Sequence, residues 1–161
     1  MKDINLSNEN FFTFQLGKGL FALPVSSVKE VLKYDVITPV PKSLPYLKGV
    51  LNIRGSVITV ADLRILFGFE SVKPIEKNAI IVTEIQQEDD QPLILGILAD
   101  DVNVVSHLQM VPSETADYGS LPGRNEFVSS VAKNNDTYIL ILDLEKILTS
   151  IKNEITATAM V

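Results

Sequence analysis

Few side chains in this sequence have a spacing that suits catalysis. Ser26 and Lys29 match the S-x-x-K pattern of acyl-serine enzymes, but the companion motifs of those enzymes are absent. His107, the single histidine, ends a short apolar element and has no Ser or Cys in a nucleophile elbow beside it, so an ordinary loop histidine is the better interpretation. Asp100 and Asp101 are adjacent, and adjacent side chains point in different directions. The sequence therefore predicts no catalytic site.

Two further segments contain the residue types of ligand-binding loops. Gly17-Lys18-Gly19 lacks the third glycine and the strand-to-helix setting of a dinucleotide-binding loop, and the sequence has no P-loop pattern. The acidic run at 88–90 lies between two predicted strands, where it is typical of a solvated hairpin tip and not of a metal cage. We interpret both as turns and expect no cofactor and no metal.

The composition narrows the classes of function. The chain has 161 residues, with 20 Asp and Glu against 14 Lys and Arg, a net charge of −6, one His and no Cys. Such an acidic chain repels phosphate backbones, so nucleic acid is not an expected partner. The absence of Cys excludes disulfides and thiolate nucleophiles, and a single His excludes sites that need two imidazoles. Yet 46% of the residues are hydrophobic and the mean hydropathy is +0.22, which indicates either well-hidden apolar surface or surface used for binding.

No segment has the pattern of a leader or a membrane span. Residues 1–10 are polar and acidic, and we interpret them as a tail. The apolar stretches at 79–82 and 93–99 are far shorter than the roughly 20 residues that a spanning helix requires. We expect a cytoplasmic protein without direct membrane insertion.

The elements around these residues are mostly predicted strands. Alternating apolar residues on either side of Gly17-Lys18-Gly19 predict a hairpin over 12–25. Further strands are predicted near 52–60, 79–85, 92–99 and 137–142. The helical signals are short. A capping box at 27–30 predicts one turn with Val28, Val31 and Leu32, Asp62 precedes a helix over 63–67 that Gly68 ends, and Asp143 precedes a longer helix with Leu144, Ile147, Leu148 and Ile151 on one face.

The chain contains a weak internal repeat. A shift of 81 residues aligns 46–67 with 127–148, and a shift of 74 aligns 27–31 with 101–105. This repeat predicts two halves, at about 11–76 and 77–148, followed by a helix end and tail at 149–161. Because each half suits a small barrel, we expect two β-barrels packed side by side around a shared core.

The halves differ most at one turn. The first half has the sequence KGVLNIRG at 48–55, and the second has SSVAKNND at 129–136. The repeat does not explain a lone Arg54 between an isoleucine and a glycine. Arg54 is either an ordinary surface residue at a hairpin tip or a functional cation.

Three runs together closely resemble the CheW family of bacterial chemotaxis coupling proteins. They are ITPVP at 37–41, PYLKGVLNIRG at 45–55 and VITVADLR at 57–64, and the resemblance extends from about residue 11 to 148. It implies an all-β fold with a few short helices, in which two pseudo-symmetric five-stranded SH3-like barrels pack around a third core. It also implies a non-catalytic adaptor, monomeric alone, that links the cytoplasmic hairpin tips of chemoreceptors to the regulatory domain of the histidine kinase CheA and is recruited to receptor arrays by these partners.

The resemblance also implies a set of partner-binding residues. These are Val28, Glu30, Gly49, Asn52, Arg54, Gly55 and Val105. An apolar groove between the barrels, with contributions from Val28 and Val105, would accept a receptor helix, although core packing is an equal alternative for both valines.

The sequence departs from the family pattern at three positions: Thr59 replaces a proline, Ser130 a glycine, and Val104 a frequently acidic residue. Two other functions stay open, a CheW-like scaffold of a different receptor and kinase system and an unrecognised small-barrel enzyme.

Overall fold

The computed structural model describes residues 10–33, 37–69, 78–87, 91–106, 108–111 and 125–159. Ten strands and two helices lie in these ranges, which confirms the mainly β fold with few helices. The strands are β1 (Asn10–Leu16), β2 (Gly19–Pro24), β3 (Val28–Lys33), β4 (Leu47–Ile53), β5 (Ser56–Ala61), β6 (Asn78–Ile85), β7 (Leu93–Ser106), β8 (Gln109–Val111), β9 (Val128–Asn134) and β10 (Thr137–Leu142). The helices are α1 (Leu63–Leu66) and α2 (Leu144–Ala159), and single 3₁₀ turns lie at Val25–Ser27 and Asn125–Phe127. The predicted acidic hairpin tip at 88–90, His107 and residues 1–9 lie outside these ranges.

Strand pairing divides the structure into two groups that share β7. In the first strand group, β3 pairs with β6, β6 with β7, β7 with β5 and β5 with β4. In the second strand group, the end of β7 pairs with β1, followed in order by β2, β10, β9 and β8. The 14-residue β7 therefore belongs to both groups, with residues 93–100 paired to β6 and residues 100–106 paired to β1.

The strand groups do not follow the sequence halves. β1 and β2 lie in the first half of the chain, yet they pair with β7 and β10 of the second half. The repeat itself has matching structure, since β4, β5 and α1 correspond to β9, β10 and α2. The amide of Asp62 donates to the carbonyl of Tyr46, and the amide of Asp143 donates to that of Phe127, both at 2.8 Å. The boundaries at 11–76 and 77–148 stay a prediction, because each strand group contains strands of both halves.

Three hydrophobic clusters fill the structure. Every strand of the first group contributes to one cluster, which contains Leu32, Leu51, Ile58, Val60, Ile80, Val82 and Leu98. The second group has its own cluster, with Phe11, Ala22, Leu108, Ala132, Ile139 and Ile141. The largest cluster, the main core, takes residues from both groups and both helices. Within it, the ring centroid of Phe67 lies 5.8 Å from that of Phe21 and 5.7 Å from that of Phe127. Each strand group thus has its own cluster and both share a third, while the five-stranded SH3-like barrels stay a prediction.

Thr38, in the segment that follows β3, pairs with Val50 of β4. Because β3 and β4 are the outer strands of the first strand group, this pairing links its two edges. The amide of Thr38 donates to the carbonyl of Val50, and the amide of Val50 donates to that of Thr38, both at 2.9 Å. Gly49 permits this approach. A Cβ at Gly49 would lie 2.1 Å from the Thr38 oxygen, and its φ of 145° is one that other residues rarely adopt.

Both helices begin where the sequence predicts. The Oδ1 of Asp62 accepts a hydrogen bond from the amide of Arg64 at 3.0 Å, and the Oδ1 of Asp143 accepts one from the amide of Lys146 at 3.1 Å. Gly68, with a φ of 82°, follows α1 as predicted. α2 runs to Ala159 and thus occupies much of the segment at 149–161 that was expected to be a helix end and tail.

Two of the predicted elements are wrong. The helical turn predicted at 27–30, with Val28, Val31 and Leu32, is instead the beginning of β3, along which exposure alternates from residue to residue. The hydroxyl of Ser27 donates to the carbonyl of Pro24 at 2.8 Å and does not cap a helix. Pairing with β6 outweighs the weak tendency of one isolated turn to form. The single strand predicted at 52–60 is two strands, β4 and β5, separated by a turn.

Replacing Gly49 with alanine is expected to destabilise the fold by at least about 2 kcal/mol, because the methyl group overlaps the Thr38 carbonyl. Urea unfolding followed by circular dichroism measures this loss. Gly55→Ala is the control, since Gly55 also has a positive φ but nothing lies within 4 Å of its added Cβ. We expect a loss of about 1 kcal/mol there. Equal unfolding midpoints for Gly49→Ala and the wild type would contradict the close approach.

Because only part of α2 is buried in the main core, we expect alanine substitutions along this helix to differ in their effect on stability. Ile147 is fully buried in it, so Ile147→Ala is expected to lower the free energy of unfolding by about 2–5 kcal/mol. Ile155 lies two turns later and is 44% exposed, so Ile155→Ala is expected to cost less than about 1 kcal/mol. The same urea titration compares them, and similar losses would show that α2 does not enter the main core as described.

Candidate functional site

The turn between β4 and β5 is the most distinctive local feature of the predicted site. Arg54 has a φ of 48° and Gly55 a φ of 85°, the left-handed backbone of a two-residue hairpin turn. The Oδ1 of Asn52 accepts a hydrogen bond from the amide of Gly55 at 3.0 Å. The three specified residues of the N-x-R-G motif each have a physical role, since Asn52 supports the turn, Gly55 permits it and Arg54 is presented at its tip.

Arg54 forms an ion pair with Glu30 of β3, through its Nη2 and the Oε2 of the carboxylate. The Arg54 side chain is 74% exposed, whereas that of Glu30 is 23% exposed. An ion pair this open to water contributes at most about 1 kcal/mol to stability. Its main physical effect is to orient the guanidinium and to link the turn to β3. The contact uses one nitrogen of the guanidinium, so its other donors face solvent.

The two predicted valines have different surroundings. Val28 begins β3 and is half-buried, with its side chain packed against the main core. Core packing therefore explains the buried part of the Val28 side chain. The backbone of Val105 pairs with Phe11, and the side chain of Val105 lies outside the described residues. Its neighbour Val104 pairs with Phe12 and is 58% exposed, which makes it an apolar side chain open to a partner.

An apolar groove of about 410 Å³ lies beside Gly49. It is lined by the loop at 40–44, by Leu47, Gly49 and Val50 of β4, by Thr59 of β5 and by Ile155 of α2. Val40 and Ile155 are each 44% exposed. Sequence reasoning placed the groove between the barrels with Val28 and Val105, and this groove includes neither valine.

Ile155 was missed, although a signal was present. It lies four residues after Ile151, so it continues the apolar face that Leu144, Ile147 and Ile151 form on α2. Ile151 is buried in the main core, whereas Ile155 extends past it and becomes one wall of the groove. The apolar face of α2 is therefore longer than the core that it covers.

A second depression, of about 850 Å³, follows α2 and is polar. Its lining includes Glu126, Asp143, Glu145 and Glu154 together with Lys146. Within the described ranges, no group of three or more His, Asp or Glu side chains is placed to hold a metal ion. None of the described helices is long and apolar enough to cross a membrane.

The structure thus brings most of the predicted residues into two neighbouring places on the first strand group. Glu30, Asn52, Arg54 and Gly55 form one arrangement around the turn. Gly49 belongs to the groove at the other end of β4. These surfaces offer one fixed cation and a set of apolar side chains, which suits binding to a protein.

Comparisons with known proteins agree with these features. Residues 10–152 match the family described as the CheW-like domain. The chain is 26% identical over 142 residues to the chemotaxis protein CheW of Klebsiella aerogenes, covering 88% of this chain and 82% of that protein. It is 28% identical over 138 residues to the chemotaxis protein CheW of Helicobacter pylori, covering 86% and 80% of the two chains. The crystal structure of the scaffolding protein TtCheW from Thermoanaerobacter tengcongensis superposes with a TM-score of 0.70 and 27% identity over 85% of each chain. The chain belongs to the CheW-like domain family of chemotaxis scaffold proteins.

Proposed function

We propose that this protein is a non-catalytic adaptor that couples the cytoplasmic tips of chemoreceptors to the histidine kinase CheA and so helps to build the receptor and kinase array. The observation that carries the proposal is the Arg54 turn, where an exposed guanidinium is oriented by Glu30 on a rigid hairpin. The protein acts in the cytoplasm and reaches the membrane array through its partners. Its sequence, with one His and no Cys, offers little for catalysis.

Arg54 is well placed to contact a carboxylate or exposed carbonyl groups of a partner. The turn is only two residues long between paired strands, and the Gly55 amide donates to the Asn52 side chain, so the turn loses little conformational freedom on binding. The Glu30 carboxylate holds one nitrogen and leaves the remaining donors free to bind in a fork. A fixed cation of this kind contributes specificity to a complex more than affinity.

The groove is the second proposed contact. Its exposed apolar side chains, Val40 and Ile155, lie beside Leu44 and Leu47, and this gives a concave surface that fits an apolar side chain of the partner. Such an anchor in a pocket typically dominates the energy of a small interface. Gly49 lines the same groove, and therefore a larger residue there would disturb both the fold and the contact.

The valines Val28 and Val105 stay in the proposed receptor-binding set, on β3 and β7. Val104 is added to them, because 58% of its side chain is exposed on a strand that pairs with β1. In the family that the sequence resembles, the position of Val104 is frequently acidic. An exposed valine there favours a receptor that has an apolar side chain opposite it. This observation also keeps the alternative of a CheW-like scaffold in a different receptor and kinase system.

Arg54→His is expected to leave the fold intact and to weaken the ternary complex with receptor and kinase, because the imidazole loses the fork of donors and the pair with Glu30. A pull-down of receptor and kinase measures the complex, and urea unfolding checks the fold. Lys18→Ala, which removes an exposed cation at another hairpin turn, is the control and is expected to recover wild-type amounts.

A charge exchange separates contact from support. In Glu30→Arg with Arg54→Glu the ion pair is kept, but the tip of the turn becomes acidic. If the charges of the pair contact a partner and do not merely support the turn, the exchanged protein recovers as little complex as Arg54→His. Wild-type recovery by Arg54→His would rule out the proposed role of the turn.

We assign the groove to the kinase, because the valines proposed to bind the receptor, Val28, Val104 and Val105, do not line it. We expect the wild type to bind the regulatory domain of CheA with a Kd in the micromolar range, about 8 kcal/mol by calorimetry. Ile155→Asp is expected to weaken this binding at least about tenfold, since a carboxylate replaces an apolar wall of the groove. Ala157→Asp, at an exposed position of the same helix, is the matched control. Equal affinities for both variants would exclude the groove as a kinase contact.

A further inference from the structure

Asp62 and Arg64 form a buried ion pair at the beginning of α1. They are 1% and 7% exposed and are the buried charged side chains of the described residues. The Nε of Arg64 donates to Asp62 Oδ1 at 3.0 Å, and its Nη2 donates to Asp62 Oδ2 at 2.8 Å. The guanidinium thus holds both oxygens of the carboxylate in a fork that fixes its orientation.

The internal repeat shows that a helix at this place needs no such arginine. Asp143 begins α2 by accepting a hydrogen bond from the amide of Lys146, at 3.1 Å. Glu145, the residue that matches Arg64 in the repeat, is exposed. A buried ion pair is also seldom more stable than apolar side chains of similar volume. Neither capping nor stability therefore explains why the first half contains the pair.

The surroundings of the pair give a reason. The amide of Asp62 donates to the carbonyl of Tyr46, the residue before β4, at 2.8 Å. The next residue, Leu47, donates its amide to Leu44 at 2.9 Å and pairs with Ala61 just before the irregular step to Gly49. Asp62 is therefore attached to the chain between the groove-lining loop at 40–44 and Gly49.

We propose that Arg64 is a positioning residue for the partner-binding groove. The bond from the Asp62 amide to Tyr46 has a counterpart of equal length at Asp143, where no arginine is present, so Arg64 is not needed to form it. What Arg64 adds is a fixed orientation of the Asp62 side chain, and through Asp62 it keeps the loop at 40–47 and the beginning of β4 in the conformation that forms the groove. The use of the groove by a partner rests on the proposed function. The positioning is a property of the isolated protein and is tested separately.

The test removes both charges together and keeps the helix cap. In Asp62→Asn with Arg64→Met, the asparagine oxygen still accepts from the amide of residue 64, and no unpaired charge is buried. We expect a somewhat lower unfolding midpoint in urea, because no charge is left unpaired but the buried NH2 group of the asparagine lacks the partner that the carboxylate had. Amide hydrogen exchange at residues 62 and 50, which donate to Tyr46 and Thr38, is expected to accelerate about tenfold, and affinity for the CheA regulatory domain to fall by about the same factor.

Two single variants complete the experiment. Glu145→Met changes the matching position of the second half and is expected to alter neither exchange nor affinity. Arg64→Lys keeps the charge without the fork, so intermediate exchange is expected, and it replaces the double variant as the test if the latter does not fold.

Unchanged exchange at both amides in the folded double variant, or in Arg64→Lys where the double variant does not fold, overturns the proposal, whatever the affinities are. Faster exchange with unchanged affinity supports the positioning by Arg64 and contradicts the groove as a kinase contact, so the two failures are distinguishable.

Discussion

The passage of the Thr38 backbone over Gly49 is the constraint on which the rest of the first strand group depends. Two hydrogen bonds of 2.9 Å join Thr38 to Val50, and they form only because residue 49 has no side chain. This contact connects the segment after β3 to β4 and so joins the two ends of the group. β4 then has the groove at one end and the Arg54 turn at the other, and both candidate surfaces inherit their geometry from the same strand. Gly49 is needed for the fold and also lines the groove. A variant of Gly49 alone therefore does not separate an effect on the fold from an effect on the groove.

The repeat separates what the fold requires from what the first half has added. Both halves contain a hairpin followed by an Asp-capped helix, and in both the aspartate amide donates to the residue before the hairpin at 2.8 Å. The halves differ in their charged residues. Arg54 corresponds to Asn135, which has a similar positive φ of 56° and thus meets the backbone requirement of the turn without a charge. Arg64 corresponds to the exposed Glu145. Since the second half forms its hairpin and helix without either arginine, the fold alone does not account for Arg54 and Arg64.

Local chemistry could be predicted from the sequence, and long-range pairing could not. The β1–β2 hairpin, the caps Asp62 and Asp143 and the N-x-R-G turn depend on residues within a few positions of one another, and the structure contains all of them. The short pattern of β3 predicts a helical turn, whereas the pairing with β6 that makes it a strand joins residues about fifty positions apart. The contact of Arg54 with Glu30 and the approach of Ile155 to Val40 are of the same kind. No periodicity in the sequence indicates these contacts, because they exist only once the strand groups have formed.

The hydropathy of the chain now has a physical account. Most apolar residues belong to three separate clusters. Three clusters have more surface for the same volume than one core would have, so more apolar side chains are needed to form them. Among the residues that the structure describes, few large apolar side chains are exposed, and they include Val40, Val57, Val104 and Ile155. The candidate surfaces are therefore small, and each alone supports only modest affinity. In the proposed array this is an advantage, because several weak contacts made at once hold the partners firmly while each one can exchange. A scaffold of this kind needs small surfaces that keep their shape, and the hydrogen bonds of Val50, Asn52 and Asp62 hold the backbone segments that form them.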